Sequence, residues 1–229
     1  MMLNDRERIQ LRLRELQAEF AERGDATGWF DALYKESAGD NTKIPWADLE
    51  PNPYFQRWVE TAGLKGDGKR ALVVGCGLGD DANYLNGLGF KVTAFDISPT
   101  AIEWAKNLYP SDEIQFEVGD LFEPANDWIG AFDLVLEIYT IQPLPLEFRE
   151  KAIAAVASFV APNGELVVVT RGREDDEDPG TLPWPLSRKE LSLFETHDLE
   201  QAEFVEMAPE EDGDPRRFLA RFIRRQGGG

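Results

Sequence analysis

A short apolar run that leads directly into a tight glycine turn and a helix constrains the fold of this chain more than any other feature. Ala71–Val74 is apolar, residues 75–79 read Gly-Cys-Gly-Leu-Gly, and Asp80 opens a helical segment that ends at Gly87 and Gly89. A buried strand, a glycine turn and an acid-capped helix are typical of the first unit of a doubly wound α/β sheet. We therefore predict that ligands bind beyond the carboxyl ends of the strands.

Apolar runs alternate with helical segments along the rest of the chain. We predict strands over 91–95, 114–118, 132–138, 165–170, 201–207 and 217–224, and helices over 98–108, 147–159 and 187–196. Strands that alternate with helices favour a parallel, doubly wound sheet. The two consecutive strands at the end predict an antiparallel hairpin, which an acidic turn joins.

The first 63 residues have a different character. Apolar residues at helical spacing within 4–22 predict a helix with one apolar face: Ile9, Leu13, Leu16 and Phe20. This helix packs on its own domain as an arm, covers a site as a lid, or contacts a second copy of the chain. Residues 24–53 are irregular apart from a short helix around 29–35. Asn52 and Pro53 then open a helix that ends near Gly63.

We place the domain boundary after that helix. Residues 1–63 are predicted to form a helical arm and a covering segment, residues 64–226 the main α/β domain, and residues 227–229 a disordered tail. We expect a monomer or a homodimer.

The charge balance excludes several classes of partner. Asp plus Glu is 43 and Lys plus Arg is 24, so the net charge is −19. A field of this sign repels phosphate, which argues against nucleic acid and anionic membranes as partners, although acidity can also be an adaptation to salt. No apolar run approaches the roughly 20 residues that span a bilayer, and no apolar signal core follows the first methionine. We expect a cytoplasmic protein.

The counts of cysteine and histidine limit the possible chemistry. The only cysteine is Cys76 and the only histidine is His197. An intramolecular disulfide, a four-cysteine zinc site and a site with several histidine ligands are therefore excluded, and no metal is assigned. Cys76 lies within the glycine turn as a small residue and His197 falls between a helix and a strand, so we expect neither to act as nucleophile or base.

The spacing of the glycines distinguishes between two nucleoside cofactors. The dinucleotide pattern G-x-G-x-x-G would place its third glycine at position 80, where Asp80 stands, and the third glycine is instead Gly79. The carboxylates of Asp80 and Asp81 would repel a pyrophosphate. S-adenosylmethionine, with its ammonium and sulfonium groups, fits better than NAD. The alternative is a helix cap with glycines that only pack.

Two further aspartates follow neighbouring strands. Asp96 ends the second strand, where an acidic residue accepts hydrogen bonds from a ribose diol, while Ser98 and Pro99 cap the next helix. Asp120 follows the third strand and is placed to accept from an adenine amine. Each could instead be an ordinary turn aspartate, but together with the glycine turn they favour a nucleoside site.

The motifs in order resemble those of class I S-adenosylmethionine-dependent methyltransferases over residues 70–225: ALVVGCGLGDD, VTAFDIS, GDLF, FDLVLE and APNGELVVV. The resemblance implies a Rossmann-like, mostly parallel seven-stranded sheet with an antiparallel last strand. It also implies S-adenosylmethionine as cofactor, with these predicted contacts: Gly75, Cys76, Gly77, Gly79, Asp80, Asp96, Ile97, Asp120, Leu121, Glu137 and Trp46.

A narrower likeness lies in the first 63 residues. Trp29-x-x-x-Leu33-Tyr34, Ile44-Pro45-Trp46 and Pro51-x-Pro53 are similar to the entrance segment of the thiopurine S-methyltransferase group, which includes thiol and halide methyltransferases. This implies that the segment covers the methionine end of the cofactor, with Trp29 and Trp46 near the sulfonium, where cation–π attraction is favourable. Both tryptophans could instead be core anchors.

The resemblance also places the segment after the fourth strand beside the transferred methyl group. There Glu137 could contact the cofactor or act as a base, and Tyr139 could take part in catalysis, although an ordinary strand-end turn is the alternative. The predicted substrate contacts are Trp29, Tyr34, Gln142, Arg171 and Trp184. Arg171 and Arg173 could bind an anion or only neutralise the acidic loop 172–180, which is either solvated or a mobile flap. Trp184 could equally pack within its loop.

These observations predict a methyltransferase that acts on a small molecule. Because a thiolate or halide needs no general base, the shortage of bases favours a soft acceptor: a thiol, a thiopurine, a selenium or tellurium species, or a halide. One alternative is an O- or N-methyltransferase of a natural product. Another is a non-catalytic protein that binds S-adenosylmethionine or S-adenosylhomocysteine. A dehydrogenase is disfavoured by the glycine spacing.

Overall fold

The computed structural model describes residues 5–207 and 215–225. The helices are α1 (Asp5–Glu22), α2 (Gly28–Ser37), α3 (Pro53–Ala62), α4 (Asp80–Gly87), α5 (Pro99–Leu108), α6 (Arg149–Ser158) and α7 (Arg188–Leu191). The strands are β1 (Arg70–Val74), β2 (Lys91–Asp96), β3 (Ile114–Val118), β4 (Phe132–Ile138), β5 (Val160–Arg173), β6 (Leu186–Ser187), β7 (Leu199–Met207) and β8 (Arg217–Arg224). The acidic turn expected between β7 and β8 and the tail at 227–229 fall outside the described residues.

The strands form a sheet in the order β3-β2-β1-β4-β5-β8-β7, and the two-residue β6 pairs with β5 beside it. Neighbours from β3 to β5 are parallel, whereas β8 runs antiparallel between β5 and β7. The predicted α/β class, with a mostly parallel Rossmann-like sheet and an antiparallel last strand, is confirmed. The start of β8 therefore lies at the same edge as the carboxyl ends of β1 to β5.

Helices cover both faces of the sheet. On one face α6 and α7 pack over β4, β5 and β8 in a cluster that includes Val135, Ile153 and Phe218. On the other face α3, α4 and α5 pack over β1 and β2, and Phe55 and Leu85 are fully buried there. Since α3 belongs to this second layer, the part of the first 63 residues that lies outside the main core ends before α3.

The amino-terminal helices pack against their own chain. Leu13 and Leu16 of α1 form a buried cluster with Trp29 and Leu33 of α2, and Leu182 from the segment after β5 packs on the same cluster. This packing matches the predicted arm, and it ties the arm to the loop that follows β5.

Local capping fixes where the helices begin. The Asn52 side chain accepts from the N–H groups of Tyr54 and Phe55, with Pro53 in the first turn of α3. The Ser98 hydroxyl caps α5, and Ser187 and Glu190 form a reciprocal capping box at α7. Such caps satisfy the first N–H groups of a helix and follow from sequence alone. No helix within the described ranges is long and apolar enough to cross a membrane.

Candidate functional site

The glycine turn lies at the carboxyl edge of the sheet, between β1 and α4. Gly75 and Gly79 have φ of 59° and 90°, values that side-chain-bearing residues rarely adopt. A Cβ on Gly75 would lie 2.5 Å from Thr140, and a Cβ on Gly79 would lie 2.7 Å from the Phe116 ring. Glycine is therefore required at both positions by backbone conformation and by neighbouring atoms. Cys76 is half-buried within this turn, and burial followed by the Asp96 charge raises the pKa of its thiol, which suits an inert residue.

Asp96 connects the end of β2 to the glycine turn. Its Oδ2 accepts from the Gly77 N–H at 2.9 Å and its Oδ1 accepts from the Ser98 N–H at 2.9 Å. The side chain is 8% exposed, and burial raises the pKa of its carboxyl group. Each carboxylate oxygen has a further lone pair, so a ribose diol could bind as well. Ile97, next to it, is half-buried at the same edge.

Asp120 lies close to Asp96 because β2 and β3 are paired, with Asp96 opposite Val118. The Asp120 Oδ1 accepts from the Phe122 N–H at 2.8 Å, and the side chain is half-buried. Leu121 is buried among the core residues of the α6 face. The structure thus brings the glycine turn, Asp96 and Asp120 to one edge, and their contacts with ribose and adenine stay predictions.

The two carboxylates at the start of α4 have protein partners. Asp80 Oδ1 accepts from the Tyr109 hydroxyl at 2.5 Å, and Asp81 Oδ1 accepts from the Asn52 N–H at 2.8 Å. Burial raises the pKa of Asp80, and it raises that of Asp81 to about 7. Both groups therefore anchor neighbouring elements, and a contact between Asp80 and the cofactor remains a prediction.

The amino-terminal segment covers the glycine turn through Tyr34 and Trp46. The Tyr34 hydroxyl accepts from Trp46 Nε1 at 2.8 Å, and a Cβ on Gly77 would lie 3.1 Å from that hydroxyl. Burial and then the Asp96 charge raise the pKa of Tyr34, so its hydroxyl stays protonated. Tyr34 was predicted as a substrate contact, but the structure places it against the turn assigned to the cofactor. Trp46 is 37% exposed above it.

For Trp29 the structure favours the alternative, in which it is a core anchor, and its contact with the sulfonium or the substrate stays a prediction. Trp29 is 4% exposed, stacks on Phe30 with centroids 3.8 Å apart, and packs with Leu13, Leu16 and Leu33. Its indole N–H donates to the Ala26 carbonyl at 3.2 Å. Trp29 thus packs as a core residue between α1 and α2, and its ring centroid lies 6.0 Å from that of Trp46.

Asp31 is a residue that the sequence analysis missed. Its Oδ1 accepts from the Ser98 hydroxyl at 2.8 Å and from the Thr100 N–H at 3.2 Å, which docks α2 on the start of α5. Burial would raise the pKa of Asp31, but hydrogen bonds from Lys35, Ser98 and Thr100 outweigh it and hold the value at about 2. No local pattern marks an aspartate whose partners lie in another helix.

The turn after β4 contains Tyr139, in the segment that is predicted to lie beside the transferred methyl group. Tyr139 has φ of 58°, and its hydroxyl accepts from Arg217 Nε at 2.9 Å. Arg217 also donates to the Pro215 carbonyl, and its guanidinium lies 5.7 Å from the Tyr54 ring centroid. Burial raises the pKa of Tyr139, although the nearby Arg217 lowers it. Arg217 was also missed, because only the pairing of β5 with β8 brings it here.

Glu137 and Gln142, which were predicted to act near the acceptor, are both buried. Glu137 is 0% exposed and its carboxylate faces inward, so it cannot touch an acceptor as a base. Gln142 is 4% exposed, and its Oε1 accepts from the Thr170 hydroxyl and the Arg171 N–H at 3.2 and 3.0 Å. These contacts make Gln142 a brace between the β4 turn and β5, and its contact with a substrate stays a prediction.

Arg171 lies directly opposite Arg217 in the β5–β8 ladder, so both side chains share the α3 face of the sheet. Its role toward a substrate stays a prediction. Arg173 instead donates to the loop carbonyls of Glu174 and Glu177 and pairs with Glu190 at 2.8 Å. For Arg173 the structure favours the alternative, in which it holds the acidic loop.

Trp184 is half-buried, as a pocket wall would be. Its N–H donates to the Gln142 carbonyl at 2.9 Å, and its carbonyl accepts from Arg149 at 3.2 Å. Its contact with a substrate stays a prediction.

His197 lies far from these residues. It precedes β7, whose start is at the opposite edge of the sheet, and it lines a shallow depression on α6 with Glu150 and Lys151. Among the described residues, no group of three or more His, Cys, Asp or Glu side chains is arranged to hold a metal ion.

Comparison with known proteins identifies the chemistry of this fold. A model of a methyltransferase domain matches residues 72–168. A thiopurine S-methyltransferase from Pseudomonas entomophila is 27% identical over 78% of this chain and 90% of its own length. A 2-heptyl-1-hydroxyquinolin-4(1H)-one methyltransferase from Mycobacteroides abscessus is 26% identical over 71% of this chain and 72% of its own.

A solved structure gives the same answer for the fold. The N-methyltransferase NodS from Bradyrhizobium japonicum, in complex with S-adenosyl-L-homocysteine, superposes with a TM-score of 0.66. It is 21% identical and covers 85% of this chain and 97% of its own. With the glycine turn and both strand-end aspartates at one edge of this sheet, the chain is a class I S-adenosylmethionine-dependent methyltransferase.

Proposed function

We propose that this methyltransferase acts on a small molecule whose nucleophile is soft or already anionic near neutral pH. The preferred class is a thiol or thiopurine, followed by selenium or tellurium species and halides. Methyl transfer is an in-line displacement at a carbon that the sulfonium activates. The enzyme therefore has to align the nucleophile and exclude water, and a thiolate needs no base.

The observation that supports this class is the arginine beside Tyr139. Arg217 donates to the Tyr139 hydroxyl and keeps further N–H donors for an anion. Within residues 5–207 and 215–225, no carboxylate forms an ion pair with Arg217. His197 is at the opposite edge and Glu137 is buried. An arginine stabilises an anion but does not accept a proton, so the nucleophile should arrive ionised.

An acidic hydroxyl group is the second candidate acceptor. It too can arrive as an anion, and one relative is named for a hydroxyquinolone. The relative named for a thiopurine covers more of both chains, which favours sulfur.

The test compares three acceptors with purified protein and S-adenosylmethionine: 4-nitrothiophenol, iodide and 2-heptyl-1-hydroxyquinolin-4(1H)-one. Formation of S-adenosylhomocysteine is measured near pH 7.5. We expect kcat/KM to be highest for the thiol. A preference for the hydroxyquinolone would make oxygen the acceptor. No transfer to any of the three, with cofactor binding intact, would overturn the soft-acceptor proposal.

A matched pair of variants tests Arg217. Arg217→Gln should raise KM for the thiol about tenfold or more, since a hydrogen bond to a charged group contributes roughly 1.5–3 kcal/mol. Arg221→Gln removes the same charge from the same strand and face, but Arg221 pairs with Glu165 at 3.2 Å, away from Tyr139. It should change KM less than about twofold. Equal losses would contradict a role for Arg217 at the acceptor.

The cofactor contacts and the domain division are part of the same proposal. The glycine turn would hold the methionine end, Asp96 the ribose and Asp120 the adenine, with Ile97 and Leu121 beside them. The segment before α3 would cover the site through Trp46 and Tyr34, and α3 together with residues 64–226 would form the catalytic domain. The net charge of −19 supports a small-molecule partner over a nucleic acid.

A further inference from the structure

We propose that Glu137 is a positioning residue for methyl transfer: its buried carboxylate holds the turn at Tyr139–Ile141 against the glycine turn and so aligns acceptor and cofactor. This inference rests on the proposed placement of the cofactor and acceptor at this edge. It assigns Glu137 a role that involves no proton transfer.

The contacts of Glu137 are those of a turn brace. Glu137 is the last residue but one of β4, and its side chain has no exposed surface. Its Oε1 accepts from the Thr140 N–H at 2.7 Å and from the Ile141 N–H at 2.9 Å. One carboxylate oxygen thus satisfies two successive backbone donors, which fixes the direction of the chain after the strand.

The braced turn contains an unfavourable backbone conformation. Tyr139 has φ of 58°, a left-handed value that costs a residue with a side chain of this size. Its N–H donates to the Val169 carbonyl at 3.1 Å, and its hydroxyl accepts from Arg217. Because the next two N–H groups are held by Glu137, the Tyr139 backbone stays in this conformation and the side chain stays beside Arg217.

The same turn reaches the cofactor side. The Thr140 hydroxyl donates to the Val74 carbonyl at 2.8 Å. A Cβ on Gly75 would lie 2.5 Å from both Thr140 Oγ1 and Cγ2, so the two turns are in direct contact. Glu137 therefore fixes a segment whose one end contacts the acceptor residues and whose other end contacts the glycine turn.

The groups around Glu137 suit a carboxylate that is held in one position. Its Oε2 is buried without a hydrogen-bond partner among the described residues, and the charge of Arg149 acts on it from α6. Arg149 pairs with Glu190 at 2.9 Å and also holds the Trp184 carbonyl. Burial raises the pKa of Glu137 to about 7, while the two N–H groups and Arg149 oppose that rise.

Three substitutions separate positioning from base catalysis. Glu137→Gln keeps an oxygen at the same reach but cannot act as a base. Glu137→Asp keeps the acid but shortens the side chain by one methylene, and Glu137→Ala removes the oxygen. We measure the dissociation constant of S-adenosylhomocysteine by calorimetry, and kcat and KM with 4-nitrothiophenol. Glu147→Ala, at an exposed position, is the control.

If Glu137 is a positioning residue, kcat and cofactor affinity should be higher for Glu137→Gln than for Glu137→Asp and Glu137→Ala. Glu137→Gln should stay within about threefold of the unaltered protein in affinity and kcat. Glu137→Asp and Glu137→Ala should lose roughly 10- to 100-fold in kcat, because small misplacements are costly in displacement reactions. They should also weaken S-adenosylhomocysteine binding at least about threefold, with Glu147→Ala unchanged.

Base catalysis predicts the reverse order, with Asp above Gln and no change in affinity for any variant, and that result would overturn the proposal. If Glu137→Ala does not fold, comparison of kcat between Glu137→Gln and Glu137→Asp still distinguishes positioning from base catalysis. If the unaltered protein does not methylate 4-nitrothiophenol, the soft-acceptor proposal fails, while the order of S-adenosylhomocysteine affinities still tests Glu137.

Discussion

The two halves of the candidate site are built in different ways. We assign the glycine turn, Asp96 and Asp120 to the proposed cofactor half, and Tyr139, Arg171, Trp184 and Arg217 to the proposed acceptor half. In the cofactor half Asp96 and Gly77 are 19 residues apart, whereas Tyr139 and Arg217 in the acceptor half are 78 apart. A cofactor shared by a whole class can be held by local motifs, while the acceptor pocket depends on how distant strands pair.

The comparison predicts that changes in the cofactor half affect S-adenosylhomocysteine binding more than changes elsewhere. The largest effect is expected for Gly75→Ala, which combines a left-handed backbone with a contact to Thr140. We expect binding to weaken about 100-fold or more. Gly68→Ala is the matched control, because Gly68 also has positive φ, of 78°, but nothing lies within 4 Å of its Cβ position. Calorimetry that showed equal losses would mean that backbone strain alone, and not the site, is being measured.

Asp96→Ala should have the next largest effect. Loss of the carboxylate leaves the Gly77 N–H without its partner and removes the proposed ribose acceptor, at a cost of about 1–3 kcal/mol in binding. Asp133→Ala is the control, since Asp133 accepts from the Arg70 N–H at 2.8 Å at the opposite edge. It should lower stability and leave affinity unchanged. Unaltered affinity in Asp96→Ala would remove Asp96 from the cofactor half.

A smaller effect on binding is expected from the arm. Leu16 is buried between α1 and α2, so Leu16→Ala should lower stability by about 2–3 kcal/mol. S-adenosylhomocysteine affinity should change less than about threefold, because α2 is also docked by Asp31. Urea unfolding and calorimetry check the two values. A tenfold loss of affinity with little loss of stability would show that α1 acts as a lid and belongs with the cofactor half.

The smallest effect is a change in the pH dependence of stability, which involves one buried carboxyl group next to each half. Burial raises the pKa of Asp81 and of Glu137 to about 7, from ordinary values of 3.8 and 4.5. The folded state thus keeps protons that the unfolded state has already lost. The stability due to each group is therefore highest at low pH, falls as pH rises toward about 7, and is level above it.

Asp81→Asn and Glu137→Gln should each flatten that decline. Urea midpoints from pH 4.5 to 8 measure it, with the exposed Glu147→Gln as control. An unchanged decline in either variant would mean that its carboxyl group is not the one that titrates.

The sequence signals for the proposed cofactor half are local, and the structure brings these residues to one edge of the sheet, while their contacts with the cofactor stay predictions. The Gly75–Gly79 turn, the Asn52 and Ser98 caps and the two aspartates at strand ends all depend on neighbouring residues and on strand periodicity. The acceptor half was predicted less well. Trp29 and Gln142 turned out to be buried braces, Glu137 faces inward, and Arg217 and Asp31 had no local pattern that could reveal them.

The sequence by itself therefore determined the alternation of strands and helices, the glycine turn, the caps and the class of cofactor, since these follow from backbone conformation and short-range hydrogen bonds. Only the tertiary structure decided which polar groups lie beside Tyr139. The antiparallel insertion of β8 beside β5 brings Arg217 to Tyr139 and leaves His197 at the far edge. Strand order and burial are set by packing over the whole chain, and no short segment contains that information.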